Sequence, residues 1–282
     1  MPFRAPTRLP RKLPQPDMPD VKHEDVMAYA PDLARTPVEL IRKGLPGMHR
    51  HVPPILLGVR CDPPKTVLRK VKGMSVPDSR LAECPTHIFA VYGPSWGSTS
   101  PADRYLQKLR ARRLVTYYPI HALMFLAHCG NLPPIEDYRL RLAILHVTPP
   151  TATVEAASII RVPLVPIYVP APVAFQLLEH YIYFSNVPHL EAELLPPELP
   201  PPPRAPGIIS HDNRVAAYAY ALATQQGMTI NRLSRHAKLV YRLYQNVVWL
   251  AVKDSGLWAA INFTWESLTS AMRMMQQWGM TV

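Results

Sequence analysis

Residues 114–130, LVTYYPIHALMFLAHCG, place β-branched and aromatic residues ahead of a proline and then an apolar run that closes at Gly130-Asn131. Leu114 to Tyr118 has the composition of a strand. Pro119 suits the first position of a helix, where its missing N–H costs nothing, and Gly130 suits the stop, so Ile120 to Cys129 reads as an apolar helix. A strand feeding directly into a buried helix indicates an α+β core. Working outward, Thr86-His87-Ile88-Phe89-Ala90-Val91-Tyr92 ends at Gly93-Pro94 and reads as another strand. Ser100-Pro101-Ala102-Asp103 combines a capping serine, a proline at the first helical position and an acid at the third, for a helix running to about Arg113. Leu140 to Val147 and Val162 to Val169 are further strand candidates. Pro163 and Pro166 cannot donate to a ladder and assign the second of these to an edge or a bulge. Pro172 then opens a helix whose Phe175, Leu178, Tyr181 and Ile182 share one face.

This core is expected over residues 80–196. Before it, residues 1–79 read as a largely extended or disordered basic region, with a short helix near 36–43: Thr36 caps, Pro37 takes the first position, Glu39 the third, and Gly44 stops the turn. After it, Pro196-Pro197-Glu198-Leu199-Pro200-Pro201-Pro202-Pro203-Arg204-Ala205-Pro206 reads as polyproline II, giving a linker over 197–210. Residues 211–282 are helical. Asp212 to Gln226 is alanine-rich; Thr229 to Val252 sets Leu233, Ala237, Val240, Tyr244, Val247 and Ala251 opposite Arg232, Arg235, Lys238 and Arg242, and Asp254-Ser255-Gly256 breaks it. The last helix carries an apolar seam of Ile261, Trp265, Leu268, Met272 and Met275, which needs a partner, and the chain's own core is the favoured one.

Composition narrows the function classes. Apolar residues make up 48% of the 282, which excludes wholesale disorder, while 34 prolines are more than twice the usual share of about 5%. There is no apolar run of about 18 residues for a membrane span and no secretory h-region near the start. The early arginines resemble a mitochondrial presequence in charge, but Pro2, Pro6, Pro10 and Pro14 forbid its helix. Cys61, Cys84 and Cys129 do not make a disulfide framework and fit a reducing compartment, so the nucleus or the cytoplasm is expected. The net charge of +11 lies almost wholly in residues 1–120, with 20 basic against 10 acidic residues. Lys108, Arg110, Arg112 and Arg113 form a cluster suited to nuclear import or to phosphate contact, as does Arg69-Lys70-Val71-Lys72.

Few constellations support catalysis. Gly93-Pro94-Ser95-Trp96-Gly97 matches G-x-S-x-G, which would make Ser95 a hydrolase nucleophile; yet Ser98, Thr99 and Ser100 separate it from the helix that should begin at the serine. His121 and His128 share a helical face with Cys129 nearby, but seven residues set the histidines about 10 Å apart, too far for one zinc. No metal or cofactor site is expected, and no phosphate-binding glycine motif is present. Glu136-Asp137 and Glu191-x-Glu193 read as solvated surface. Pro197, Pro200 and Pro203 with Arg204 offer P-x-x-P, a ligand for aromatic-grooved domains. The basic face over 232–242 lacks the asparagine or glutamine expected of a base-reading helix.

Two segments resemble the BTB/POZ fold: Tyr118-Pro119-Ile120-His121-Ala122-Leu123 through Ala127-His128-Cys129, and Val169 through Phe175-Gln176-Leu177-Leu178-Glu179-His180-Tyr181-Ile182-Tyr183. The series as a whole resembles the clampless family of basidiomycete fungi, through Tyr29-Ala30-Pro31-Asp32-Leu33-Ala34, Pro85 to Tyr92, Tyr118 to Cys129, Val165-Pro166 to Tyr183, and Leu194-Leu195-Pro196. That resemblance implies a non-catalytic regulator of sexual development and clamp-cell formation in the mating-type pathway, with a divergent BTB/POZ-like core. Its partners would be other proteins, transcriptional regulators of mating above all, with self-association open. A nucleic-acid-binding regulator using the basic N-terminal half is the alternative, and hydrolysis at Ser95 ranks third.

Overall fold

The structure, a computed structural model, describes residues 10–48, 73–77, 86–93, 115–135, 159–199 and 210–279. Its contacts divide the chain into two units, one within 19–172 and the other joining residues 10–18 to those from 173 onward. The protein is a mixed α+β chain with a helical C-terminal region, as expected.

The first unit is built on a sheet of β1 (Gly73–Pro77), β2 (His87–Tyr92), β3 (Thr116–Ile120) and β4 (Ile159–Tyr168), in the order β1-β4-β2-β3. β2 and β4 are parallel, and the other two pairings are antiparallel. β2 is buried at every position from His87 to Val91, which requires cover on both faces. On one face helix α3 (Ala122–His128) brings Phe125 edge-on to Phe89, with ring centroids 4.9 Å apart. Helices α1 (His23–Tyr29) and α2 (Val38–Met48) pack against α3, and Arg42 donates to the Ala127 carbonyl near its C-terminal end, where a cation is favoured.

β4 is not an edge strand: it lies between β1 and β2. Its prolines are tolerated because its two ladders are staggered. Residues 159–163 pair with β1 and residues 164–168 with β2. The Val169 N–H donates to Tyr92 O at 2.9 Å, so by alternation Ile167 and Val165 also turn their N–H toward β2 while Pro166 turns away. On that side the β1 ladder has already ended at Pro163. Pro163 in turn faces β2 one residue before that ladder begins at Leu164. Neither missing donor falls where a partner waits. β2 and β4 converge at Gly93, where an added Cβ would collide with the Val169 carbonyl oxygen and sit 2.8 Å from the Pro172 ring.

Pro119 lies in β3, paired with Ile88, and does not open α3. β3 is an outer strand, where proline is tolerated. The cap of α3 comes from across the sheet: Thr86 Oγ1 accepts from the Ala122 N–H at 2.8 Å, a bond that His121 at the N-cap does not make. α2 runs on through Gly44 to Met48, because Gly44 keeps an ordinary φ and α2 has the tertiary support of α3. The strand candidate Leu140–Val147 and the helix from Ser100 lie outside the described residues.

The second unit holds α4 (Phe175–Phe184), α5 (Val187–Leu194), α6 (His211–Thr224), α7 (Ile230–Trp249) and α8 (Ser255–Gln277). Four of these helices begin with capping side chains: Asn186, Ser210, Thr229 and Asp254 each accept a backbone N–H from three residues on. The seam Ile261, Trp265, Leu268, Met272 and Met275 is wholly buried, and its partners are α5, α6 and α7 of the same chain. On α7, Leu233, Ala237, Val240 and Val247 are buried as the pattern demands, with Tyr244 half-buried. The chain reverses at Ala251, in the left-handed region at φ 54°, and not at Gly256, which lies inside α8 against the Tyr181 hydroxyl. The N-terminal residues 10–18 form no helix or strand, yet Leu13 and Met18 are buried and the Trp265 indole N–H donates to Pro10 O at 3.0 Å. Among the described residues no helix is long and apolar enough to cross a membrane.

Candidate interaction site on the helical unit

α8 passes through the middle of the second unit, so polar side chains along it must find partners inside the bundle. Phe263 receives the guanidinium of Arg214 over its ring face, 3.6 Å from the centroid. That guanidinium also forks onto Glu191, Nη1 to Oε1 at 3.2 Å and Nη2 to Oε2 at 2.5 Å, in a pair whose side chains are only 10% and 1% exposed. Tyr218 stacks obliquely on the same Phe263 and donates to Leu199 O; burial, and next the Glu191 charge, push its phenol well above the ordinary tyrosine value. These groups bind the start of α6, the end of α5 and the turn at 196–199 into one packed block.

Three residues further along α8, Glu266 sits almost fully buried. His211 Nε2 donates to its Oε1 at 3.3 Å, and Lys12 Nζ lies 3.8 Å from the same oxygen. Asp212 brings a second carboxylate, and the ligand atoms of His211, Asp212 and Glu266 all lie within 4.8 Å of one another.

At the far end of α6, Tyr220 meets Trp278, the residue that ends α8, edge to face at 6.3 Å between centroids. Both rings stand in solvent, 59% and 48% exposed. On the outer side of α7, Arg235 and Lys238 are exposed, Arg232 pairs with Glu198, and the 20-residue helix contains no acid.

Two family models match the chain: the Clampless protein 1 N-terminal domain over residues 16–170 and the Clampless protein 1 C-terminal domain over residues 188–281. The chain belongs to the clampless family. No curated protein and no solved structure matches it. The Arg214–Glu191 block, the Glu266 cluster and the Tyr220–Trp278 pair of this clampless protein all fall within the C-terminal family domain, apart from Lys12. The gap between the two matched ranges, residues 171–187, contains the point at which the contacts divide. The span 80–196 crosses that point, and so does the second BTB-like segment, whose Val169 to Pro172 belong to the sheet unit and whose Val173 to Tyr183 belong to the helical one.

The residues singled out from sequence are distributed as follows. Ser95, Lys108, Arg110, Arg112 and Arg113 lie outside the described residues, as do Pro200, Pro203, Arg204 and Glu136-Asp137. Pro197 is exposed, but residues 196–199 form a turn closed by Leu199 N–H to Pro196 O at 3.3 Å and are not polyproline II. His121, His128 and Cys129 are buried in the sheet unit; His128 Nδ1 is bonded to Met124 O at 2.8 Å, and burial pushes the Cys129 thiol up to about 12. Glu193 is exposed as expected, whereas Glu191 is buried, because α5 turns it inward onto Arg214.

One further group titrates abnormally. Glu179 on α4 is half-buried, and desolvation raises its carboxyl from 4.5 to about 8. The folded chain therefore binds a proton there that the unfolded chain has lost, so this group lowers stability as pH rises from 4.5 toward 8. His180 acts in the opposite sense below 6.5, since partial desolvation and the neighbouring His189 hold its imidazole down. Comparing Glu179→Gln with the natural chain in urea across this range isolates the carboxyl: the variant is expected to lose less stability between pH 5 and about 8. Parallel curves would remove Glu179 as the cause.

Proposed function

We propose that this clampless-family protein is a non-catalytic regulator of sexual development and clamp-cell formation in the mating-type pathway, acting by binding other proteins in the nucleus or cytoplasm. The family match supports the developmental role, and neither domain description names an activity. The observation that carries the binding mode is the Tyr220–Trp278 pair. Two large aromatic rings held against each other by rigid helices, each with about half its surface in water, are the residue types most enriched at interface hot spots. Transcriptional regulators of mating are the proposed partners. The acid-free outer face of α7 supports a second reading, contact with nucleic acid, which the same experiment separates.

The test is complementation of a dikaryon lacking this protein, scored by clamp formation under the microscope. Tyr220→Ala with Trp278→Ala is expected to give a folded chain, judged by an unchanged urea midpoint, that fails to restore clamps and loses its co-purifying regulators. Arg235→Glu with Lys238→Glu is expected to restore them. The reverse pattern, with clamps lost only on charge reversal and binding that weakens steeply with salt, would replace this reading by the nucleic-acid one.

A further inference from the structure

We propose that His211, Asp212 and Glu266 form a binding site for a divalent transition-metal ion of the zinc type. A zinc ion bound at about 2.0–2.2 Å by tetrahedrally placed nitrogen and oxygen ligands sets those ligands roughly 3.3–3.6 Å from one another. His211 Nε2 and Glu266 Oε1 already stand 3.3 Å apart. The third ligand atom lies within 4.8 Å of both, so Asp212 needs to approach by little more than an ångström, a side-chain rotation for an exposed residue in the first turn of α6.

The second observation is the state of Glu266. It is the single acid in the 23 residues of α8, and its side chain is 3% exposed. A carboxylate taken so far out of water needs close, well-formed contacts. Glu266 has His211 at 3.3 Å and Lys12 at 3.8 Å, both long for charge-assisted bonds, which normally run at about 2.7–2.9 Å. The buried charge is under-compensated, and a divalent ion between the three side chains would correct this more completely than either cation does. Lys12 need not block it: its side chain is 59% exposed and swings into water at little cost. The ligand set, one imidazole nitrogen and two carboxylate oxygens with a position left for water, suits zinc and its first-row neighbours and is poorly matched to calcium or magnesium, which take oxygen alone. A bound ion would clip the start of α6 to the middle of α8.

The test uses the full-length chain, freed of metal by a chelator and titrated with zinc chloride by calorimetry. One equivalent is expected to bind, with affinity falling more than about tenfold in His211→Ala and in Asp212→Asn. Lys12→Gln is expected to tighten binding, because it removes the competing ammonium; a site of merely structural importance would not respond in that direction. Since three cysteines are present, cobalt in place of zinc identifies the ligands: a nitrogen and oxygen set gives weak visible bands without an intense thiolate charge-transfer band. No binding, binding unchanged by His211→Ala, weaker binding in Lys12→Gln, or a thiolate band would each overturn the proposal.

Discussion

Replacing Arg214 with leucine is expected to destabilise the helical unit by about 3–5 kcal/mol, because it takes the guanidinium away from the Glu191 carboxylate in a site 1% exposed to water. The loss combines the forked bond with the cation–π contact to Phe263, but most of it is the cost of a buried carboxylate deprived of its guanidinium. A companion variant makes the argument specific. Arg214→Leu with Glu191→Met removes both charges at similar volume and should recover most of the loss, since a buried ion pair contributes little net stability beyond an apolar replacement. Urea unfolding of both variants measures the difference. If the double variant is no more stable than Arg214→Leu, packing around the guanidinium stem outweighs the charge. If Arg214→Leu costs under about 1 kcal/mol, Glu191 reaches water when its partner is gone.

That pair shows where sequence reading stops. Glu191-x-Glu193 looks like two solvated acids near a proline, and nothing in the local pattern distinguishes them. What separates them is which one α5 turns toward Arg214, 23 residues away. The Glu266 cluster was hidden for the same reason: His211 and Asp212 look like polar residues behind the Ser210 cap, and their third member is 54 residues further on. One signal was available, a lone acid on an otherwise apolar helix seam, since Glu266 follows Trp265 in a stretch that is buried on every face.

Elements whose identity depends on local chemistry were legible. The β2 run ended where Gly93-Pro94 begins, the Pro172 turn led into a helix with Phe175, Leu178, Tyr181 and Ile182 buried, and the α8 seam found its partner within the chain. Elements whose identity depends on neighbours were not. The prolines of β4 argue for an edge only if both ladders run its full length, and their stagger is a property of β1 and β2. Gly44 stops an isolated helix, but not one packed on α3. The proline-punctuated start reads as loose chain, yet Leu13 and Met18 are buried and Trp265, far along the sequence, holds the Pro10 carbonyl.

Trp265 therefore has two separable roles, and two substitutions divide them. Its ring is 2% exposed and lies near Tyr241, at 6.2 Å between centroids, so Trp265→Ala opens a large cavity in the bundle and is expected to cost about 3–5 kcal/mol. Trp265→Phe keeps most of the apolar volume and loses the indole N–H that holds the Pro10 carbonyl. Its global cost should be near 1 kcal/mol, the worth of one hydrogen bond, but its local effect should be larger in kind. With that anchor gone, residues 10–18 are held by Leu13, Met18 and the long Lys12 contact to Glu266, so cleavage at Arg11-Lys12 by trypsin should quicken while the bundle stays folded. Unchanged cleavage in Trp265→Phe would show that the two buried apolar side chains suffice to seat the segment. Faster cleavage only in Trp265→Ala would make the segment's docking a consequence of bundle packing, with the hydrogen bond incidental to it.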